Sequence, residues 1–336
     1  MRRSAALAGG ALVFLAMFWA VLGLLVGSSG WQWPVLGKTQ GLDSSLGLDP
    51  VWLSLVWDIR APRTLGSFLV GCLLGLAGAV AQGLFRNPLA EPYLLGSSAG
   101  AALLMALALT VGSSWVVSST WWTQVGLTGV AFVGAVAGVW LTLILARGAV
   151  HTMRLLLCGV VVGVVLGALT QLLMVWSAET WRTMQAFMLG NTALLGWPSC
   201  AAMAAVLAFS LPVALLLSRV LDALSLGEDA ARTLGVPLGL ARAALVGVLA
   251  LACAGAVAQA GLVAFVGLVA PHLVRPWCGA QHRTLLWHAS LMGGVLLLAA
   301  DVLSRWVLAP QELPVGVLTA VMGGVYLLAL IQRRRM

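Results

Sequence analysis

Charged residues are scarce in this sequence. Only 8% of its 336 residues are Asp, Glu, Lys or Arg, whereas a typical soluble domain has about 25%. A chain with so few charges and 61% hydrophobic residues cannot cover a water-facing surface, which excludes a soluble globular fold. Apolar runs of about 18 to 25 residues recur along it, each long enough to cross a bilayer as a helix. The runs lack the alternation of barrel strands, so we predict an all-α membrane protein.

Paired cysteines and clustered metal ligands are also missing. The five cysteines form no C-x-x-C pair, and the four histidines do not stand at metal-ligand spacing from them. We therefore expect no disulfide framework, no metal site and no cofactor bound by this chain. No nucleophile with a neighbouring base points to an enzyme, and no basic patch with interleaved aromatic residues points to nucleic acid.

The apolar runs predict about ten transmembrane helices in a single domain, residues 1–336. The first run has an apolar core of about 20 residues, longer than the ~7 to 15 of a secretory signal, so we interpret it as an uncleaved span. The eighth run is short, and we expect it to include part of the glycine-rich segment before it. The approximate spans are 8–27, 62–84, 94–112, 124–146, 155–176, 194–218, 241–260, 262–274, 285–304 and 314–331.

The positions of Lys and Arg predict the orientation in the membrane. An even number of spans puts both termini on one side, and MRR and QRRRM mark that side as cytoplasmic. Of the 18 Lys and Arg residues, thirteen lie in segments on that side and five on the other, in agreement with the positive-inside rule. The net charge of +8 is therefore a topology signal.

An internal repeat suggests that the fold is built from two related halves. AGAVAQ occurs at residues 77–82 and again at 254–259, in the second and seventh predicted spans. These spans run in opposite directions in the predicted topology, as in an inverted repeat of spans 2–5 and 7–10. Chance similarity in a chain rich in Ala, Gly and Val is the alternative.

A cluster of charges and helix breakers, FRNPLAEPYLLGSSAG, interrupts the apolar sequence at residues 85–100. Pro88 and Pro92 cannot continue the incoming helix. Asn87 and Glu91 can satisfy the backbone groups that the break frees, and the Gly and Ser residues that follow allow close helix packing. The residues alone predict a tight, capped turn on the cytoplasmic side.

The longest cytoplasmic break between spans, residues 220–242, predicts a short exposed helix in a loop at about 220–240. Ser225 and Glu228 fit a capping box, Gly235 suits the helix end and Pro237 the stop. Such a helix is either a docking element or a simple connection, and local propensity does not distinguish the two.

Two arginines on the external side run against the positive-inside trend. Arg60 and Arg63, in DIRAPR at 58–63, face much the same way at the start of the second span. They bind either lipid phosphate or acidic side chains of an extracytoplasmic partner. Near the end of span nine, Asp301 and Arg305 stand four residues apart and can pair along the helix.

Several separate motifs together resemble those of the permease subunits of binding-protein-dependent ABC importers for iron-siderophores, haem and cobalamin, the FecCD type of type II importer. The resemblance covers nearly the whole chain. The matching positions are Arg60, Pro62 and Arg63; residues 87–92 and 95–101; Leu226, Gly227, Ala230, Leu234 and Gly235; residues 267–275 with His282 and Arg283; Asp301 and Arg305; and residues 312–316.

The resemblance implies a homodimeric permease of a bacterial inner membrane, with a substrate path along the dimer axis. Two ATPase subunits, which hold ATP and Mg²⁺, would dock on the cytoplasmic loop helix. A periplasmic binding protein would place acidic residues on Arg60, Arg63 and Arg305. The residues expected to couple to the ATPase are Ser225, Leu226, Gly227, Glu228, Asp229, Ala230, Arg232, Leu234 and Gly235.

The resemblance also indicates that spans five and ten line the path. In the outer part of span five the candidates are Gln171, Met174 and Trp176, for which ordinary packing is the competing interpretation. We expect His272 to hydrogen-bond freed backbone at the inner end of span eight. The residues expected to be structural are Asn87, Pro88, Glu91, Pro92, Pro271, His272 and Pro314.

One departure from the family pattern lies in span ten, where residues 323–326 read GGVY and a family proline is missing. The expected helix kink is lost with it. The alternative function, an ion-coupled secondary transporter, needs acidic groups near the middle of the bilayer. Nine of the ten carboxylates fall in predicted loops, and the tenth, Asp301, has Arg305 beside it, so the importer is favoured. The motifs do not distinguish between chelates.

Overall fold

The computed structural model describes residues 2–27, 30–31, 36–38, 46–111, 120–149, 151–279 and 281–333, and most of them are helical. The helices in chain order are α1 (Arg2–Leu25), α2 (Pro50–Leu55), α3 (Ala61–Phe85), α4 (Ser97–Val111), α5 (Thr120–Leu145), α6 (Thr152–Trp176), α7 (Ala178–Leu189), α8 (Trp197–Leu216), α9 (Ser218–Ser225), α10 (Glu228–Thr233), α11 (Leu238–Ala260), α12 (Val266–Cys278), α13 (His282–Trp306) and α14 (Val315–Arg333). A π-helical turn, Val56–Arg60, joins α2 to α3, and a 3₁₀ turn, Pro92–Leu95, precedes α4.

Short strands occur between α1 and α2. Val26–Gly27 pairs antiparallel with Gly30–Trp31, and Leu36–Lys38 pairs antiparallel with Leu46–Leu48. These two small ribbons add no layer to the helical bundle, so the all-α prediction is confirmed.

The apolar helices follow the predicted spans in order. Eight segments of the described chain are long and apolar enough to cross a membrane, and one of them joins α2, the π turn and α3 into a single stretch of 36 residues. The third and eighth predicted spans correspond to the shorter helices α4 and α12. The expected extension of span eight into the preceding glycine-rich segment is wrong. Residues 261–265 remain outside the helix, Phe265 takes a left-handed φ of 69°, and α12 instead continues to Cys278.

Helix α3 forms the centre of the bundle and packs against α8, α11, α12 and α13. In the membrane-length segment that contains α3, 94% of the most apolar stretch is buried inside the protein. Glycines allow this close approach. A Cβ on Gly71 would overlap the carbonyl oxygen of Gly293, and a Cβ on Gly78 would overlap that of Gly267. Small residues therefore let helix backbones pack directly against one another, as is common in membrane proteins.

The proline-broken segment after α3 is a capped turn, as predicted. Arg86 ends α3 in the left-handed conformation, and the Asn87 side chain accepts a hydrogen bond from the backbone N–H of Leu89 at 2.9 Å. Glu91 accepts from the backbone N–H of Phe265 at 3.4 Å, and burial raises the pKa of this carboxyl. The turn thus connects α3 and α4 to the segment that precedes α12.

The two copies of AGAVAQ lie in α3 and α11, which pack against each other. Their glutamines differ: Gln82 is buried and hydrogen-bonded to the Leu268 carbonyl at 3.0 Å, whereas Gln259 lines a cavity of about 530 Å³ between α5, α8 and α11. The inverted relation between the two halves stays a prediction.

Candidate functional site

The ion pairs among the described residues lie at two opposite ends of α3 and α13. At the first end, where α3 begins and α13 ends, the pairs centre on Arg63, and we call this the Arg63 end. At the second, where α3 ends and α13 begins, they centre on Glu228 of α10, and we call this the Glu228 end.

The Arg63 end is a network around one buried carboxylate. Asp301 accepts hydrogen bonds from Arg63 Nε at 3.1 Å and from the Thr192 hydroxyl at 2.6 Å, and it pairs with Arg305 four residues further along α13. Arg63 also donates from Nη1 to Glu312 Oε2 at 2.8 Å. The predicted pairing of Asp301 with Arg305 is confirmed.

Two further guanidinium contacts of this end go to carbonyls in the last turn of α1. Arg60 Nη1 donates to the Leu24 carbonyl at 2.9 Å, and Arg305 Nη1 donates to the Gly23 carbonyl at 3.0 Å. Arg60, Arg63, Arg305 and Glu312 also line a cavity of about 110 Å³. The expectation that Arg60 and Arg63 face the same way is therefore correct.

The burial of this network corrects one expectation. The side chains of Asp301, Arg305 and Arg63 are 0%, 2% and 9% exposed. Their burial is tolerated because the charges pair with one another. The three arginines are therefore not a surface patch, although their docking role itself stays a prediction. Glu312 is the member with substantial exposure, at 28% of its side chain.

At the Glu228 end, the short helix α10 is anchored from both sides. Glu228 Oε1 accepts a hydrogen bond from Arg242 Nη2 of α11 at 2.7 Å, lies 3.9 Å from Arg86 Nη2 and accepts from the Thr152 hydroxyl of α6 at 3.4 Å. The hydrogen bond from Arg242 lowers the pKa of Glu228. One carboxylate thus connects α10 to α6, α11 and the turn after α3.

The predicted capping box is wrong. Ser225 is the last residue of α9 and donates to the Asp222 carbonyl at 2.6 Å, so it does not cap α10. Gly227 occupies the N-cap position with a φ of +115°, a backbone conformation that favours glycine. Glu228 turns to Arg242 because a charged partner binds it more strongly than a backbone N–H does. Gly235, with a φ of +78°, follows the end of α10, as predicted.

A second anchor of this end was not predicted from the sequence. Asp222 of α9 accepts hydrogen bonds from the backbone N–H of His282 at 2.8 Å and from His282 Nδ1 at 2.7 Å, at the start of α13. An acidic side chain is favourable at a helix N-terminus. The acidic side chain of Asp222 could therefore have indicated a contact with a helix N-terminus. The sequence did not identify which helix, because His282 lies 60 residues further along the chain.

The residues predicted to couple to the ATPase form a surface with exposed leucines. Leu226 is 70% exposed and Leu234 64% exposed, on either side of α10, while Ala231 is fully buried and holds the helix against the bundle. Ser225, Asp229, Arg232 and Gly235 are exposed as well, and Gly227, Glu228 and Ala230 are half-buried.

The path candidates on α6 separate into two groups. Gln171 and Trp176 are exposed, whereas Met174 is 3% exposed and packs with Ala102, Ala106 and Met184. The expectation that all three line one path is therefore corrected for Met174. Its side chain points into the protomer because α4 and the unpredicted helix α7 cover that face of α6.

His272 lies inside α12 after Pro271, and its Nδ1 is 2.6 Å from the Tyr326 hydroxyl of α14. It therefore joins α12 to α14, and its expected hydrogen bond to freed backbone stays a prediction. Helix α14 runs without a break through residues 323–326, and Pro314 precedes its first residue. The described residues contain no cluster of potential metal ligands.

Helices long and apolar enough to cross a membrane, joined by ion pairs at both ends of α3 and α13, define a polytopic membrane protein. The chain belongs to the FecCD transport family, whose profile matches residues 12–333.

Known proteins of this kind are similar over most of their length. The hemin transport system permease protein HmuU of Yersinia pestis is 38% identical over 289 residues, 85% of this chain and 84% of that protein. The vitamin B12 import system permease protein BtuC of Citrobacter koseri is 40% identical over 286 residues, 83% of this chain and 84% of that protein. A solved inward-facing structure of a metal-chelate type ABC transporter covers 98% of this chain and 99% of its own, with a TM-score of 0.85 and 28% identity.

Proposed function

We propose that this chain is the membrane-spanning subunit of an ABC importer and carries a metal chelate through a homodimer into the cytoplasm by alternating access. The observation that carries the proposal is the exposure of Leu226 and Leu234 beside a helix that Glu228 and Ala231 attach to the bundle. An apolar patch outside the membrane spans is suited to bind another protein, and these two leucines flank the same short helix. A separate cytoplasmic ATPase subunit, which holds ATP and Mg²⁺, docks there on each protomer.

The other partners follow from the orientation. With both termini cytoplasmic, the Glu228 end faces the ATPases and the Arg63 end faces the periplasm, where a substrate-binding protein docks on Arg60, Arg63 and Arg305. Helices α6 and α14 present apolar outer faces, including Val164 at 67% and Val325 at 63% exposure. These faces are suited to the dimer contact and the substrate path.

The cargo class comes from the relatives. One is named for hemin, a second for vitamin B12 and a third for metal chelates. All three names describe bulky metal complexes, so we propose such a chelate as the substrate. An ion-coupled mechanism is disfavoured because the carboxylate within the spans, Asp301, is already compensated by Arg63 and Arg305.

Uptake by the reconstituted complex tests the proposal. Proteoliposomes that contain the permease, its ATPase and its binding protein are supplied in parallel with haem, cobalamin and a ferric siderophore. We expect ATP-dependent uptake of one of them, and its loss when the Walker A Lys of the ATPase is replaced by Ala. Uptake that persists in that variant but collapses with an ionophore would establish the ion-coupled alternative.

The docking surface is tested with Leu226→Ser and Leu234→Ser in the same system. Both side chains are mostly exposed, so stability is expected to change by less than about 0.5 kcal/mol. Uptake and ATPase binding should nevertheless fall together. Leu194→Ser is the matched control for ATPase binding, since Leu194 is 79% exposed in the connection between α7 and α8, at the Arg63 end. Normal ATPase binding by both variants would contradict the assignment.

A further inference from the structure

The burial of the arginines at the Arg63 end conflicts with simple surface docking. Arg63 and Arg305 have side chains 9% and 2% exposed, and each already contacts Asp301. A carboxylate from another protein can take the position on Arg63 Nη1 only if Glu312 leaves it. The following inference rests on the proposed docking of a binding protein at this end.

Of the two carboxylates on Arg63, Glu312 is the one that can leave. Asp301 is 0% exposed and is also held by Thr192 and Arg305. Glu312 is 28% exposed and lies in the connection between α13 and α14. Moving a carboxylate that is already partly exposed into water costs much less free energy than moving a fully buried one.

The surroundings of Glu312 provide a second position for its side chain. Glu312 lines the cavity of about 110 Å³ that contains Arg60, Arg63 and Arg305, and it also lines a cavity of about 310 Å³ on its other side. The second cavity is lined by Arg182, Gln185 and Asn191. Arg182 of α7 is exposed and forms no ion pair with the rest of the described chain.

We propose that Glu312 occupies the place of the partner's carboxylate on Arg63, and that docking of an acidic binding protein displaces Glu312 towards Arg182. The partner that fits is a protein surface with an acidic side chain that can reach the small arginine cavity. Arg63 then exchanges one carboxylate for another, and its charge is compensated throughout.

The exchange has a direct connection to α14. Glu312 precedes Pro314 by two residues, and α14 begins at Val315. The Pro314 carbonyl accepts from the backbone N–H of Val317 at 3.1 Å, and a Cβ on Gly316 would overlap the Leu189 carbonyl of α7. Movement of Glu312 from Arg63 to Arg182 therefore takes place beside the contact between the start of α14 and the end of α7. Docking at this end would reach a helix assigned to the path.

A double-mutant cycle tests the exchange. The permease–ATPase complex is placed in lipid nanodiscs, and its Kd is measured for the binding protein that supports uptake in the proteoliposomes. Glu312→Gln removes the competing charge and is expected to tighten binding about tenfold, about 1.4 kcal/mol, since an amide oxygen accepts from Arg63 more weakly than a carboxylate does. Arg182→Gln removes the second position and is expected to weaken binding about threefold.

The double variant gives the decisive result. If Arg182 acts through Glu312, Arg182→Gln has no effect once Glu312 is Gln. An equal effect of Arg182→Gln in both backgrounds would mean that Arg182 contacts the partner directly, and would overturn the exchange. Asp58→Asn is the matched control, because Asp58 is an exposed carboxylate at the same end and tests the effect of net charge alone.

Two kinds of failure remain distinct in this assay. Unchanged affinity in Glu312→Gln, or a change equal to that of Asp58→Asn, would reject the exchange while docking stands. Absence of any binding by the unmodified complex, together with absence of ATP-dependent uptake, would reject the proposed function and the exchange with it.

Discussion

The two ends of α3 and α13 use the same chemistry, carboxylate with arginine, in opposite environments. At the Arg63 end the central carboxylate, Asp301, is 0% exposed, whereas at the Glu228 end the central carboxylate is 27% exposed. Charges that are deeply buried are expensive to leave unpaired, while pairs open to water contribute little. The first network is therefore a condition of folding, and the second is an adjustable attachment for α10.

The largest expected effect comes from breaking the buried network. Asp301→Asn leaves Arg63 and Arg305 without their common counter-charge, and we expect a loss of about 3 to 5 kcal/mol in the free energy of unfolding. Thermal unfolding in detergent, followed by circular dichroism, measures this loss as a lower Tm. Asp58→Asn serves again as the exposed control, and equal Tm values for the two variants would contradict the role given to Asp301.

A second variant tests how tightly the middle of α3, the helix that joins the two ends, is packed. Gly78→Ala places a methyl group against the carbonyl oxygen of Gly267 in the middle of α3, and overpacking of this kind costs about 1 to 3 kcal/mol. Gly247→Ala is the matched control, because a Cβ there meets no atom within 4 Å. Its stability should be unchanged or improved by up to about 1 kcal/mol. Similar Tm values for both variants would show that α3 is not tightly packed.

The smallest effect is expected at the Glu228 end. Glu228→Gln removes the charge that binds Arg242 and should lower the free energy of unfolding by about 1 kcal/mol at neutral pH. The hydrogen bond from Arg242 holds the pKa of Glu228 below its ordinary value of 4.5. The contribution is therefore complete above that value and is lost as pH falls through the lowered pKa.

Tm values of the unmodified protein and Glu228→Gln, measured side by side from neutral to acidic pH, check this linkage. The difference between the two proteins should be constant near neutrality and should vanish in acid. A difference that grows as the pH falls would have the wrong sign and would exclude the Arg242 bond as its cause.

The order of the membrane-length helices and some short-range contacts could be predicted from the sequence. Apolar runs locate the spans because their length is set by the thickness of the bilayer. The pairing of Asp301 with Arg305 follows from four-residue spacing on one helix. The capped turn at Asn87 follows from its prolines.

Longer-range contacts could not be predicted in this way. The capping box at Ser225 failed because Glu228 finds a stronger partner in Arg242, fourteen residues further on. Met174 was grouped with Gln171 because helix α7 was not predicted, and its packing against α6 decides which face of that helix is covered. The partner of Arg63 lies 238 residues away, a distance at which periodicity carries no information.

That separation has a consequence for biogenesis. At about 5 to 20 residues per second, roughly 12 to 48 seconds pass between synthesis of Arg63 and synthesis of Asp301. During this interval the early spans are already in the bilayer, and the arginine must keep its charged group in the headgroup region by means of its long aliphatic stem. Insertion of α13 supplies the counter-charge and draws the arginine inward. This electrostatic step of assembly is therefore available only after α13 has been synthesised.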